Sequence, residues 1–261
     1  MDIPATKKSL GQHWLNDEDS LLAMCEAVDV MANDVVLEIG PGPGTLTEKL
    51  VARAQQVVAV EFDETLAEQL SLRVPAANLQ VINQDILRFD FTTLPHQYKV
   101  VANIPYYLTS NLLRVMCESS NPFERAALLI QKEVAERVVA KPGAMSLLSV
   151  SVQFYCEVSL GPLVPAELFT PPPKVDSQIL VLSYRAKPLF AEVDTNRFFR
   201  VVKAGFSQRR KTLHNSLSGG LQISRDAAGA LLAAANISPT TRAQELSLDQ
   251  WHALYLAYQP E

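Results

Sequence analysis

The stretch Asn103-Ile104-Pro105-Tyr106-Tyr107 holds residue types that could act on an amine. The Asn103 side-chain oxygen is one hydrogen-bond acceptor, and the Ile104 carbonyl, held by the rigid Ile-Pro bond, is a second. Pro105 offers no competing N–H, and the Tyr106 ring can stack on a flat base. An exocyclic amine on adenine is a poor nucleophile because its lone pair is delocalised into the ring. Acceptors on both of its N–H bonds favour a pyramidal nitrogen whose lone pair can attack an electrophilic methyl group. Such chemistry rests on positioning and electrostatics, with no strong base, because the amine becomes acidic only after alkylation. The same residues also read as an Asn turn with two packed tyrosines, so the neighbouring elements must decide.

Those elements alternate. Apolar runs at 35–39, 56–60, 79–82, 98–102 and 126–131 read as strands, separated by helical patterns at 45–53, 63–73, 109–118 and 132–140. Near-continuous apolar strands between helices signal a parallel sheet covered on both faces. The later runs LSVSVQFYCEV (148–158) and ILVLSY (179–184) are joined by a proline-rich loop and read as an antiparallel pair finishing the sheet. Residues 194–258 read as wholly helical, with a capping box at Ser247–Gln250. The expected organisation is an α/β domain over 1–188 and a small all-α domain over 189–261.

Asn103 therefore ends the fourth strand, and three earlier strand ends also carry polar features. The turn after the first strand is GPGPG, with Gly40, Gly42 and Gly44 interleaved by Pro41 and Pro43. This departs from the dinucleotide fingerprint G-x-G-x-x-G, and its prolines remove two backbone donors. It suits close approach of a ligand without a diphosphate, such as S-adenosylmethionine, with NAD as the lesser alternative. Glu61, about 20 residues past Gly40, stands where a carboxylate accepts ribose hydroxyls. Asp85 ends the third strand, where it could accept from an adenine amino group. Either acid could instead cap the following helix.

With 261 residues, 48% of them hydrophobic and 20% charged, the chain has a globular profile and room for a second unit. No apolar run is long enough to span a membrane, and the first residues lack a signal-peptide core. Three cysteines without ligand spacing and four scattered histidines argue against a metal centre and for a reduced, cytoplasmic setting. A net charge of −5 gives no general attraction for polyanions, although basic residues cluster locally.

On these residues the chain resembles the small-subunit ribosomal RNA adenine dimethyltransferases. The resemblance spans nearly the whole sequence: KKSLGQHWLND (7–17), LEIGPGPGTLT (37–47), VEFD (60–63), NQDIL (83–87), NIPYYLTS (103–110), LLIQKEVAERVVAKPG (128–143), LSVSVQFY (148–155), FTPPPKVDSQIL (169–180) and FSQRRKTLHNSL (206–217). It implies a Rossmann-like class I methyltransferase fold, with a mainly parallel seven-stranded sheet whose final strand is antiparallel. It also implies transfer of four methyl groups from S-adenosylmethionine to two adjacent adenosines in the 3′-terminal hairpin loop of 16S rRNA, during small-subunit assembly. The implied cofactor contacts are His13, Leu15, Gly40, Gly42, Glu61, Asp85 and Asn103. The target base would meet Asn103, Ile104, Pro105 and Tyr106, with Phe169 as a second stacking face. His13 stands where the family often has asparagine. Lys7, Lys8, Lys132, Arg137, Lys141, Arg209, Arg210 and Lys211 are the candidate contacts to rRNA in the immature small subunit, for a protein acting as a monomer. The alternatives are a 23S rRNA adenine methyltransferase of the antibiotic-resistance type, a non-catalytic assembly factor on the same fold, and a DNA adenine methyltransferase, disfavoured by the isoleucine before Pro105.

Overall fold

A computed structural model describes residues 6–7, 11–208 and 210–259. Two of the candidate RNA contacts, Lys8 and Arg209, lie outside the described residues. The chain forms two compact units, one of residues up to Ala135 with Cys156–Tyr184, the other of Glu136–Tyr155 with residues from Arg185 onward.

The first unit begins with β1 (Trp14–Leu15), α1 (Glu18–Ala27), β2 (Val35–Ile39), α2 (Thr45–Val51), β3 (Gln56–Glu61), α3 (Glu64–Arg73) and β4 (Leu79–Asn83). It continues with β5 (Lys99–Asn103), α4 (Thr109–Cys117), β6 (Arg125–Gln131) and the start of α5 (Lys132–Val138). Asp17 and Asp63 start α1 and α3 by accepting from Ser20 N and Thr65 N, satisfying donors that the first helical turn leaves unpaired. After α6 (Leu147–Tyr155) of the second unit come β7 (Cys156–Val164), β8 (Phe169–Thr170) and β9 (Ser177–Tyr184).

Seven strands form one sheet in the order β4-β3-β2-β5-β6-β9-β7, and β1 pairs with β8 in a separate two-stranded ribbon. β4 through β6 are parallel, while β9 runs antiparallel to both β6 and β7. The chain winds outward from β2 to β3 and β4, then returns to lay β5 against the other side of β2. That reversal opens a crevice at the carboxyl ends of β2 and β5. Ile39 pairs with Ala102, so Gly40 and Asn103 leave the sheet side by side.

The second unit contains α6, α7 (Thr195–Phe206), α8 (Leu213–Leu221), α9 (Arg225–Ala234) and α10 (Leu248–Ala257) around Phe154, Phe198, Phe199, Leu217 and Trp251. The capping box read at Ser247–Gln250 is present, each side chain bonding the other's backbone N–H. Gly220 of α8 meets α7 at backbone distance: a Cβ there would fall 2.6 Å from Ala204 Cα and 2.9 Å from its carbonyl oxygen. Gly220→Ala is therefore expected to lower stability by about 2 kcal/mol, despite the better helix propensity of alanine. A thermal melt that matches or exceeds the parent's would contradict this close approach.

Two features differ from the sequence expectation. The run at 148–158 is not one strand: residues 147–155 are helical, and the strand begins only at Cys156. Ser146 and Ser149 start the helix by exchanging side-chain-to-N–H bonds, and Val150 and Phe154 join the aromatic core. In consequence the segment 136–155, expected within the first domain, packs with the second unit. The cysteines, distant in sequence, include one close pair: Cys117 and Cys156 lie 3.9 Å apart between their sulfurs, and all three are buried free thiols. Among the described residues no His/Cys/Asp/Glu cluster could hold a metal, and no helix is long and apolar enough to cross a membrane.

Candidate active site

The crevice at the end of β2 and β5 is a cavity of about 290 Å³. Its wall brings together His13, Leu15, Gly40, Glu61, Asp85, Asn103, Ile104, Pro105, Tyr106 and Phe169, all named as candidates by the sequence. Gly42, also a candidate, does not line it. The glycine instead stands behind the wall, where its N–H donates to Glu61 Oε2 at 3.1 Å and the Trp14 ring closes over it. With φ of +54° and a virtual Cβ only 2.6 Å from Trp14 Cζ3, the position accepts glycine alone without displacement.

Glu61 at the end of β3 is held by two backbone donors, Gly42 N at Oε2 and Asp63 N at Oε1 (2.8 Å). Burial pushes its carboxyl above the usual range, and these N–H groups pull it back. Both oxygens keep lone pairs for a ligand. Asp85 caps the short helical turn Ile86–Arg88 through Oδ1, which accepts from Leu87 N, so the capping role engages only one of its two carboxylate oxygens.

Asn103 is oriented by its surroundings. Its Nδ2 donates to the His13 carbonyl at 3.2 Å; a carbonyl can only accept, so the amide nitrogen must face it and Oδ1 is left as the acceptor. Ile104 donates its N–H to Leu129, extending the β5–β6 ladder, and its own carbonyl takes no donor among the described residues. Pro105 accepts from Leu108 and opens the turn that carries Tyr106. The Tyr106 hydroxyl meets the buried Ser177 Oγ at 3.0 Å, which fixes the ring. Burial raises that phenol's pKa.

The β1–β8 ribbon completes the wall, pairing Leu15 with Phe169. Phe169 is 3% exposed and packs in the core of this unit while presenting a surface to the cavity. His13 lines the cavity with its ring fixed from the other side. Its Nδ1 lies 2.7 Å from the Pro171 carbonyl, so it carries the proton and donates, and the ring stacks beside Tyr106. The imidazole braces the two loops that hold the Asn-Ile-Pro-Tyr corner. Tyr107 is 65% exposed at the cavity's edge, so it is no core residue.

Residues that sequence reasoning missed include Trp14, Thr45, Phe62 and above all Glu38. Glu38 is an acid inside an apolar strand, and that mismatch was its visible signal. The cavity wall thus holds three carboxyl groups, Glu38, Glu61 and Asp85, and no lysine or arginine among the described residues. Such a wall offers a diphosphate no counter-charge and suits a cation. That is the fit expected for a sulfonium cofactor and a misfit for NAD.

Comparisons with known proteins identify the family. The family model for ribosomal RNA adenine dimethylase matches residues 4–259. This chain belongs to that family. Its curated relatives include "Ribosomal RNA small subunit methyltransferase A" of Dehalococcoides mccartyi, 42% identical over 97% of this chain and 88% of the relative. The like-named protein of Latilactobacillus sakei is 40% identical over 95% and 88%. Among solved structures, a dimethyladenosine transferase from Plasmodium falciparum superimposes with a TM-score of 0.79, 26% identity and coverage of 93% and 96%. The 23S rRNA methyltransferase ErmE gives 0.76 at 29% identity, covering 94% and 98%.

In this dimethylase chain the described basic candidates divide. Lys7 pairs with the buried Asp63 at 2.6 Å and so is not an uncommitted cation. Lys132, Arg137, Lys141, Arg210 and Lys211 are exposed. Arg137 and Lys211 line one cavity of about 280 Å³ in the helical unit, together with Gln208 and Gln244.

Proposed function

We infer that this protein transfers methyl groups from S-adenosylmethionine to the N6 amines of two adjacent adenosines in the 3′-terminal hairpin of 16S rRNA, acting as a monomer on the immature small subunit. The single observation that carries the chemistry is the fixed amide of Asn103. With Nδ2 committed to His13, Oδ1 and the Ile104 carbonyl, which takes no donor among the described residues, are both left as acceptors on residues of one cavity wall, the pair that an adenine amine requires. The bound cofactor supplies an electrophilic methyl on a sulfonium. Glu61 accepts from its ribose hydroxyls, and Asp85 Oδ2 accepts from its adenine amine. Asn103 Oδ1 and Ile104 O hold the target nitrogen, while Tyr106 and Phe169 clamp the base. The base must leave any stack to reach them, which a hairpin loop permits cheaply. After the first transfer one N–H is gone, so one acceptor suffices for the second. Exposed Lys132, Arg137, Lys141, Arg210 and Lys211 contact rRNA phosphates.

The substrate assignment follows the relatives at 40–42% identity, which are named for the small subunit. ErmE at 29% supports the competing large-subunit reading. One experiment separates them. Incubation with labelled S-adenosylmethionine and immature small subunits, then digestion to nucleosides, should give N6,N6-dimethyladenosine in 16S rRNA. Absence of label, or label confined to 23S rRNA, would overturn the assignment.

A further inference from the structure

Two carboxyl groups deep in the cavity wall are treated differently by the protein. Glu61 is clamped by backbone donors. Glu38, in β2, is 1% exposed, and neither of its oxygens meets a hydrogen-bond partner. Its strand neighbours, Ala59 on β3 and Val101 on β5, are apolar. Facing it from α2 is the Thr47 hydroxyl, close enough to favour the charged form slightly but with no bond formed. From β3 comes the like charge of Glu61, and from α1 the buried Cys25 thiol. Among the described residues no cation offsets it, and burial pushes its carboxyl up to about 8. A buried acid with no partner is costly, and a leucine would fill the same space without that cost. What gives the acid a use is the ligand, whose charge falls by one at each turnover as sulfonium becomes thioether.

We propose that Glu38 is the residue by which this site distinguishes the cationic methyl donor from its neutral product: it ionises when the sulfonium ligand binds and takes its proton back once the ligand is a thioether. The Glu38 O–H bond breaks on donor binding and the proton passes to solvent; after methyl transfer a solvent proton restores it. The carboxylate attracts the sulfonium through a low-dielectric wall, and the neutral acid has no such hold on the product. Donor affinity then rises with pH as protons cease to compete for Glu38, and product affinity does not. This inference rests on the cofactor reading above.

Calorimetric titration with S-adenosylmethionine and S-adenosylhomocysteine, near neutral pH in two buffers of different ionisation enthalpy, counts protons for each ligand. Relative to Glu38→Gln, the parent should release most of a proton with the donor and almost none with the product. The Gln variant should lose about tenfold in its preference for donor over product. Titration of the ligands' own amino groups and any response of Glu61 occur in both proteins and cancel. An infrared measurement on the parent needs no variant: the carboxylic C=O band should vanish with the donor and persist with the product. Equal proton counts in parent and variant, or a band unchanged by the donor, would overturn the role of Glu38. Failure of either ligand to bind at all would instead overturn the cofactor reading.

Discussion

Asn103→Ala should reduce methyl transfer by about 10²–10³-fold or more while leaving rRNA binding largely intact. The reasoning is local. Asn103 ends β5 at the sheet's reversal, and its amide spans from the His13 carbonyl to the place where the amine must sit. Alanine removes the acceptor and also leaves the His13 carbonyl without its donor, so the substrate nitrogen is neither held nor made pyramidal. The exposed basic residues proposed to grip rRNA are untouched. Single-turnover transfer to immature small subunits, alongside filter binding of the same subunits, reads both quantities. A variant that dimethylates at the parent's rate would refute the role given to this side chain.

Gly42→Ala should weaken S-adenosylmethionine binding by about a hundredfold, although the residue never touches the cavity. Its φ of +54° costs an alanine about 1–2 kcal/mol, and the added methyl collides with the Trp14 ring. Trp14 is pinned by the β1–β8 pairing, so the loop must give way. When it does, Glu61 loses the Gly42 N–H that balances its burial, and the carboxylate proposed to meet the ribose shifts toward its protonated form. Equilibrium dialysis measures the affinity; parent-like binding would show that the clamp on Glu61 is dispensable.

The parallel sheet and the four strand-end features were legible because each strand is a short apolar run cut off by an abrupt polar or glycine signal. Gly40, Glu61, Asp85 and Asn103 all sit at such cuts, and the fold delivers them to one crevice. The helix at 147–155 was not legible. LSVSVQFY alternates apolar and polar residues like a strand, and only the Ser146–Ser149 exchange and the waiting aromatic core make it helical. Glu38 offers the sequence only the mismatch of an acid in an apolar strand, and what it does is legible only once its missing partners are seen. Gly42 shows the reverse limit: spacing marks the glycine turn but does not tell a residue that lines the cavity from one that supports Glu61 behind it. His13 likewise was placed at the right loop, while its ring turned to Pro171 for a reason no local pattern encodes.

The β1–β8 ribbon bears on how the protein is made. His13 and Pro171 bond across 158 positions of chain, and among the described residues Trp14–Leu15 pair only with Phe169–Thr170. A nascent chain leaving the ribosome can build β2 to β6, with its glycine turn and Asn103, well before that partner is translated. The closure entropy of so long a loop is met late, after the sheet exists to anchor both ends. The ribbon wall of the cavity therefore closes as a late event of synthesis: a chain arrested before residue 169 lacks the partner strand that completes that wall.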